Sequence, residues 1–129
     1  MSQFVEKLKT APNFVCMKPV ESDEIDKAEE SLGVHFANEY RELISACGAA
    51  SIDGHEITGI CSSKRLNVVQ VTTRARIENP AIPCNMYVIE EMHIDGILIW
   101  QNESGNIYIS KPGADVEKGA SSLLEYLKL

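Results

Sequence analysis

Apolar positions recur at helical spacing through the first third of the chain and alternate through the last third. Phe4, Val5, Leu8 and Ala11 share one face of a helix predicted over residues 2–11, with Ser2 as its cap and Pro12-Asn13 as its stop. Ile25, Ala28 and Leu32 form the stripe of a second helix over residues 23–32. Ser22 or Asp23 can accept from its first free N–H groups, and Gly33 closes it. Tyr40, Leu43, Ile44 and Cys47 repeat the pattern over residues 38–47, ending at Gly48. Only Val34-His35-Phe36 intervenes in the way of a corner, so these two helices form a hairpin with one shared apolar face. Gly33 and Gly48 are both expected at helix C-termini with positive φ, where a β-carbon costs about 1 kcal/mol.

The middle of the chain changes character. Residues 56–61 alternate and read as a strand. Residues 67–78 carry two signals: Val68, Val71, Thr72 and Ala75 lie at helical spacing, while the β-branched content suits a strand. The segment is expected to be a helix, capped by Asn67 and stopped by Pro80. Strands follow over residues 86–89, 96–100 and 106–110, with the polar run 101–105 as a hairpin loop and Lys111-Pro112-Gly113 ending the sheet. Ser121 or Ser122 caps a closing helix that turns Leu123, Leu124 and Leu127 inward. Helices, then a meander of strands, then a helix define an α+β fold. The expected architecture is a central, mainly antiparallel sheet flanked by helices, in one domain spanning residues 1–129.

Composition permits such a core. A chain of 129 residues with 44% hydrophobic content buries roughly two-thirds of the surface its unfolded form exposes. The start of the chain lacks a basic, apolar leader, and the run Ile97-Leu98-Ile99-Trp100 is far too short to cross a bilayer. These features predict a cytoplasmic protein without a membrane partner. In that compartment Cys16, Cys47, Cys61 and Cys84 are expected to be reduced and mostly buried. No two of them make a C-x-x-C pair.

The net charge is −7. Such a chain repels phosphate backbones, which argues against direct nucleic-acid binding. It attracts basic proteins, although acidity also simply serves solubility. Catalytic and cofactor signals are missing. His35, His55 and His93 have no His or Cys three or four residues away, and no phosphate-binding glycine string or nucleophile elbow occurs. His93 lies near Glu90, Glu91 and Asp95, where an oxygen-rich metal site competes with a plain charged loop. Glu90 and Glu91 are neighbours on a strand and point to opposite faces, which disfavours a paired acid and base. The expectation is a protein without catalytic residues, metal or cofactor.

Charge is unevenly distributed. Residues 86–106 hold Glu90, Glu91, Asp95 and Glu103 and no Lys or Arg. Together with Trp100, a residue type enriched at binding hot spots though more often found in cores, these form the candidate partner-binding set. Asp95 and Glu103, as loop residues, are its safest members. The acidic helix over residues 23–30 is the competing face.

The stretch from Ile25 to Gly33, followed by Tyr40-Arg41-Glu42-Leu43-Ile44 and Gly48, resembles the opening of the SUKH superfamily. That superfamily contains fungal cell-wall-synthesis regulators and many bacterial immunity proteins. Residues 56–60 resemble its glycine-bearing strand, and residues 87–90 and 94–99 are similar to its central hairpin. Phe36-Ala37 stands where members commonly have Leu-Pro, and Cys47-Gly48-Ala49 where they have an Asn-Gly-Gly string. The resemblance implies an α+β fold without catalytic residues. In bacteria it implies a cytoplasmic antitoxin that blocks a secreted toxin, often a basic nuclease; the alternative is a regulatory or scaffolding domain for an endogenous partner.

Overall fold

A computed structural model of the chain describes residues 3–128. In chain order it contains α1 (Gln3–Leu8), β1 (Val15–Cys16), α2 (Ser22–Leu32), α3 (Asn38–Cys47), β2 (Ala50–Ile52), β3 (His55–Ile57), α4 (Val68–Glu78), β4 (Met86–Glu91), β5 (Leu98–Asn102), β6 (Ile107–Ser110), β7 (Glu117–Ala120) and α5 (Leu123–Leu127). The fold is α+β, as expected. Its strands form two antiparallel sheets, β1-β2-β3 and β4-β5-β6-β7. Thr58 links them just beyond β3: its N–H donates to Ile89 O at 2.8 Å and its hydroxyl to Val88 O at 2.8 Å.

The helical hairpin closes as its glycines require. Gly33 sits at φ 68°, and the Gly33 and Val34 N–H groups bond back to Glu30 and Glu29 carbonyls, a Schellman arrangement. Gly48 ends α3 at φ 73°. Neither Ser22 nor Asp23 caps α2: its N-cap is Glu21, which makes no side-chain cap bond. The corner is instead fastened by Glu29, whose carboxylate accepts from Phe36 N–H and from Arg41, each at 2.7 Å. Part of the acidic helix face thus serves the hairpin itself. The proposed Ser2 cap of α1 lies outside the described residues.

Asn67 caps α4, its Oδ1 accepting from the Val69 and Gln70 N–H groups. Ser122 Oγ caps α5 by accepting from Glu125 N–H. Leu123 and Leu127 are buried beneath that helix, and Leu124 is half-buried.

Several strand expectations require correction. The strand predicted over residues 56–61 is His55–Ile57, because Gly59 leaves the ladder for a backbone crossing with α3. Short β1 and β2 went unread, since two or three residues display no alternation. The sheet does not end at Lys111-Pro112-Gly113: the chain turns there and adds β7, whose Glu117, Lys118 and Gly119 are all exposed. Charges on an outer strand blunt an otherwise adhesive edge.

The cysteine expectation is also overturned. Cys16 and Cys47 form a disulfide, while Cys61 and Cys84 are free. Antiparallel pairing of Cys16 with Ala50 places β1 beside the end of α3, bringing the two Cα atoms to 4.8 Å. The cysteines are not mostly buried either: Cys16 and Cys84 are exposed and Cys61 is half-buried.

The four-stranded sheet is covered on both faces. Val88, Leu98 and Trp100 pack with Val71 and Ala75 of α4, while Tyr87, Ile89, Ile99 and Ile107 join the main core with α1, α2, α3 and α5. Tyr87 pins the inner face. Its hydroxyl accepts from Ala37 N–H at 2.9 Å and donates to Gln101 Oε1 at 2.9 Å, and Gln101 in turn donates to Gly105 O. Burial pushes the Tyr87 hydroxyl pKa well above its ordinary value, so it remains a donor. Tyr87→Phe leaves a buried donor and a buried acceptor without their partner. It should cost about 1–3 kcal/mol in urea unfolding. A loss below a few tenths of a kcal/mol would show that the network re-pairs without the hydroxyl.

Candidate functional site

The candidate acidic set does not share one surface. Trp100 is fully buried and donates from Nε1 to Ser110 Oγ at 2.9 Å. It is a core residue, and its truncation would unfold the protein before informing on binding. Glu90 is 5% exposed. Glu91 is half-buried and pairs with Arg74 of α4 at 2.8 Å. Asp95 and Glu103 are exposed in turns. The turns flank opposite ends of β5, because Glu91 pairs with Leu98 whereas Met86 pairs with Asn102. The five-residue strand separates them by roughly 17 Å.

A bulge decides which side Glu90 takes. The register steps from Val88↔Trp100 to Glu90↔Ile99, leaving Ile89 as the extra residue. Ile89 and Glu90 therefore both lie on the inner side, while Glu91 returns to the α4 side. Inside, Glu90 Oε1 accepts from the Tyr126 hydroxyl of α5 and lies 2.9 Å from His55 Nδ1 of β3. The His55 and Tyr126 rings are 5.3 Å apart. Burial, and then the bond to Glu90, raise the Tyr126 pKa, so this phenol stays protonated and donating. Three elements meet at one carboxyl group. His55 and Tyr126 lie 35 and 36 positions from it in sequence, and no motif announces them.

Around this junction runs an open cleft. One part, about 310 Å³, lies between the β2–β3 turn and the end of β4, bordered by Asp53, Glu56, Glu91 and His93. The adjoining part, about 750 Å³, has an isoleucine floor (Ile97, Ile99, Ile109) under α5. Asp53, His55 and Met92 border both. Glu56 is held below its ordinary carboxylate range by the bidentate Arg65 bond, although both groups are substantially solvent-exposed. Among the described residues no three His, Cys, Asp or Glu side chains converge to hold a metal ion. Among the described residues no helix is long and apolar enough to cross a membrane.

The arrangement is that of an α+β protein whose buried polar groups hold sheets and helices together and whose sheet end carries an open, apolar-floored cleft with carboxylates on its border. The chain belongs to the SUKH superfamily: the family model SUKH_5, described as SMI1-KNR4 cell-wall, matches residues 1–128. Proteins of this superfamily are generally non-enzymatic and act in immunity or regulation through protein–protein interaction. No curated protein matches the chain.

Proposed function

We propose that this protein is an immunity protein: it binds a cognate basic toxin domain, of nuclease type, and neutralises it by occupancy. The observation that carries the reading is the family match over residues 1–128. The net charge of −7 supports it, because nucleases need positive surface to hold phosphates. Co-expression with its cognate nuclease domain should restore growth, and the two purified chains should elute as a one-to-one complex. Toxicity undiminished by the protein, with no complex at micromolar concentrations, would sink the proposal.

Steering by the acidic surface makes the same reading quantitative. Asp95→Lys and Glu103→Lys should each slow association and flatten its salt dependence, with little change in dissociation. Asp95 adjoins the cleft end of the sheet and Glu103 the far end, so the Asp95 change should dominate. Stopped-flow association measured across salt concentrations distinguishes the two. Rates unaltered by either reversal would move the docking face to the acidic α2.

A second reading is favoured by the matched family's cell-wall description. There the protein is a regulatory or scaffolding domain for an endogenous partner, and co-expression rescues no toxin.

A further inference from the structure

The cleft beside Glu90 carries a more specific inference. Its floor is aliphatic, with Ile97, Ile99 and Ile109 lying side by side across the β4–β5–β6 end of the sheet. Gly119 on β7 leaves Ile109 half-exposed, while Ile99 beneath is buried: a β-carbon at position 119 would stand 3.0 Å from Ile109 Cδ1. Its borders are acidic. Asp53, Glu56, Glu90, Glu91 and Glu125 contribute five carboxyl groups, beside Lys111 and Lys128 on the lining and Arg65 and Arg74 paired to Glu56 and Glu91.

These carboxyl groups are not equally engaged. Glu56 is taken by Arg65 and Glu91 by Arg74. Asp53 is exposed in its turn at φ 47°, and its carboxylate makes no hydrogen bond or ion pair among the described residues. Both contacts to Glu90, from His55 and from Tyr126, fall on Oε1, leaving Oε2 with its accepting capacity on a residue that borders the smaller part of the cleft. An apolar floor beside two carboxyl groups, Asp53 and Glu90, that no Arg or Lys among the described residues engages complements a side chain that is aliphatic along its stem and cationic at its tip. The groove bordered by Met17, Val20, Ile60, Lys18, Lys27 and Glu24 lacks this bias, having two lysines to one carboxylate.

We propose that this cleft is the docking groove for a basic, aliphatic segment of the partner, with an Arg or Lys reaching Glu90 Oε2 and Asp53 while a neighbouring aliphatic side chain covers Ile97 and Ile109. The inference rests on the reading that the partner is a basic protein, and it names where and how that partner is gripped. An arginine is the better occupant, since its planar fork can engage two carboxylates at once.

The test needs no toxin. An eight-residue peptide alternating Arg and Leu, acetylated and amidated, is titrated into the 15N-labelled full chain, with the Glu-Leu counterpart as control. Shift changes should concentrate at Asp53, His55, Met92, Ile97, Ile109 and Tyr126 with the Arg peptide and be absent with the Glu peptide. Two variants should each weaken the Arg peptide at least ten-fold. Asp53→Asn removes a charge while suiting the positive φ, and Gly119→Leu fills the groove from an exposed edge strand. The spectrum of each variant without peptide verifies its fold. Shifts centred on α2, or equal affinity for parent and Asp53→Asn, overturn the groove. Failure of the growth-rescue experiment with an intact peptide response would instead overturn the immunity reading and leave the groove standing.

Discussion

Gly59→Ala is expected to be among the most damaging single substitutions in this protein. A β-carbon at position 59 would sit 1.6 Å from Gly48 O, 2.7 Å from Gly48 C and 3.0 Å from Ala49 Cα. Every one of these atoms is backbone, so no side chain can swing aside. The close approach is structural, because Ile60 N–H donates to Gly48 O at 3.0 Å and Val68 N–H donates to Gly59 O at 2.8 Å. The end of α3, the exit from β3 and the start of α4 are thereby joined at one crossing. Opening it separates the helical hairpin from the sheet. The cost should exceed the roughly 1–3 kcal/mol of ordinary core overpacking, lowering the melting temperature by on the order of 10 °C or more. Circular-dichroism melts of parent and variant read this directly. Melting within about 2 °C of the parent would mean that the crossing relaxes without cost. An alanine at Gly33, where nothing lies within 4 Å, should by contrast cost only the positive-φ strain of about 1 kcal/mol.

That crossing marks the limit of what the residue pattern discloses. Helices α1 to α4 were legible because each carries an apolar stripe and is followed by a glycine or proline, and α5 because Ser122 precedes its leucines. Even α4, with its β-branched residues, was decided by Asn67 in front and Pro80 behind. The central strands were legible because Met86 to Ile89 and Ile97 to Trp100 are dense in β-formers. Strands β1 and β2 were illegible because pairing, rather than composition, makes them strands. Edge strand β7 joins the sheet through backbone bonds while presenting Glu117 and Lys118 to water.

The candidate site divides in the same way. Charge clustering pointed to Glu90, Glu91 and Asp95 at one end of the sheet. Alternation put Glu90 and Glu91 on opposite faces, as they are. It could not supply the bulge at Ile89 that carries Glu90 inward, nor the arrival of His55 and Tyr126 from distant elements. Glu103 was grouped with Asp95 because the two are near in sequence, but an intervening strand carries them apart. Trp100 joined the set on residue type alone, and its bond to Ser110 shows the indole is spent in the core.

Breaking the Cys16–Cys47 bridge should be the second large loss. Strand β1 is held to β2 through only two residue pairs, Val15↔Ser51 and Cys16↔Ala50, supplemented by Met17 N–H donating to Ala49 O at 3.2 Å. Both β1 residues are exposed, so little apolar burial retains the strand. The covalent link spans 31 positions, and a loop of that length constrains the unfolded chain by about 3.5 kcal/mol in the chain-entropy account. Cys16→Ala tests this with little cavity cost, since that side is exposed, whereas Cys47→Ala also removes a buried sulfur. Either change alone abolishes the bridge, so the double variant should lose scarcely more than Cys47→Ala. That non-additivity distinguishes one shared bond from two separate packing contributions. Amide exchange should locate the damage: Met17 N–H should lose protection ahead of the α3 amides, because β1 frays before the helix it was tied to. Additive losses in the cycle, or a non-reduced digest showing Cys16 and Cys47 as free thiols in the folded protein, would refute the bridge. In that event β1 is held by its few backbone bonds alone, and the edge of the first sheet is its least stable part.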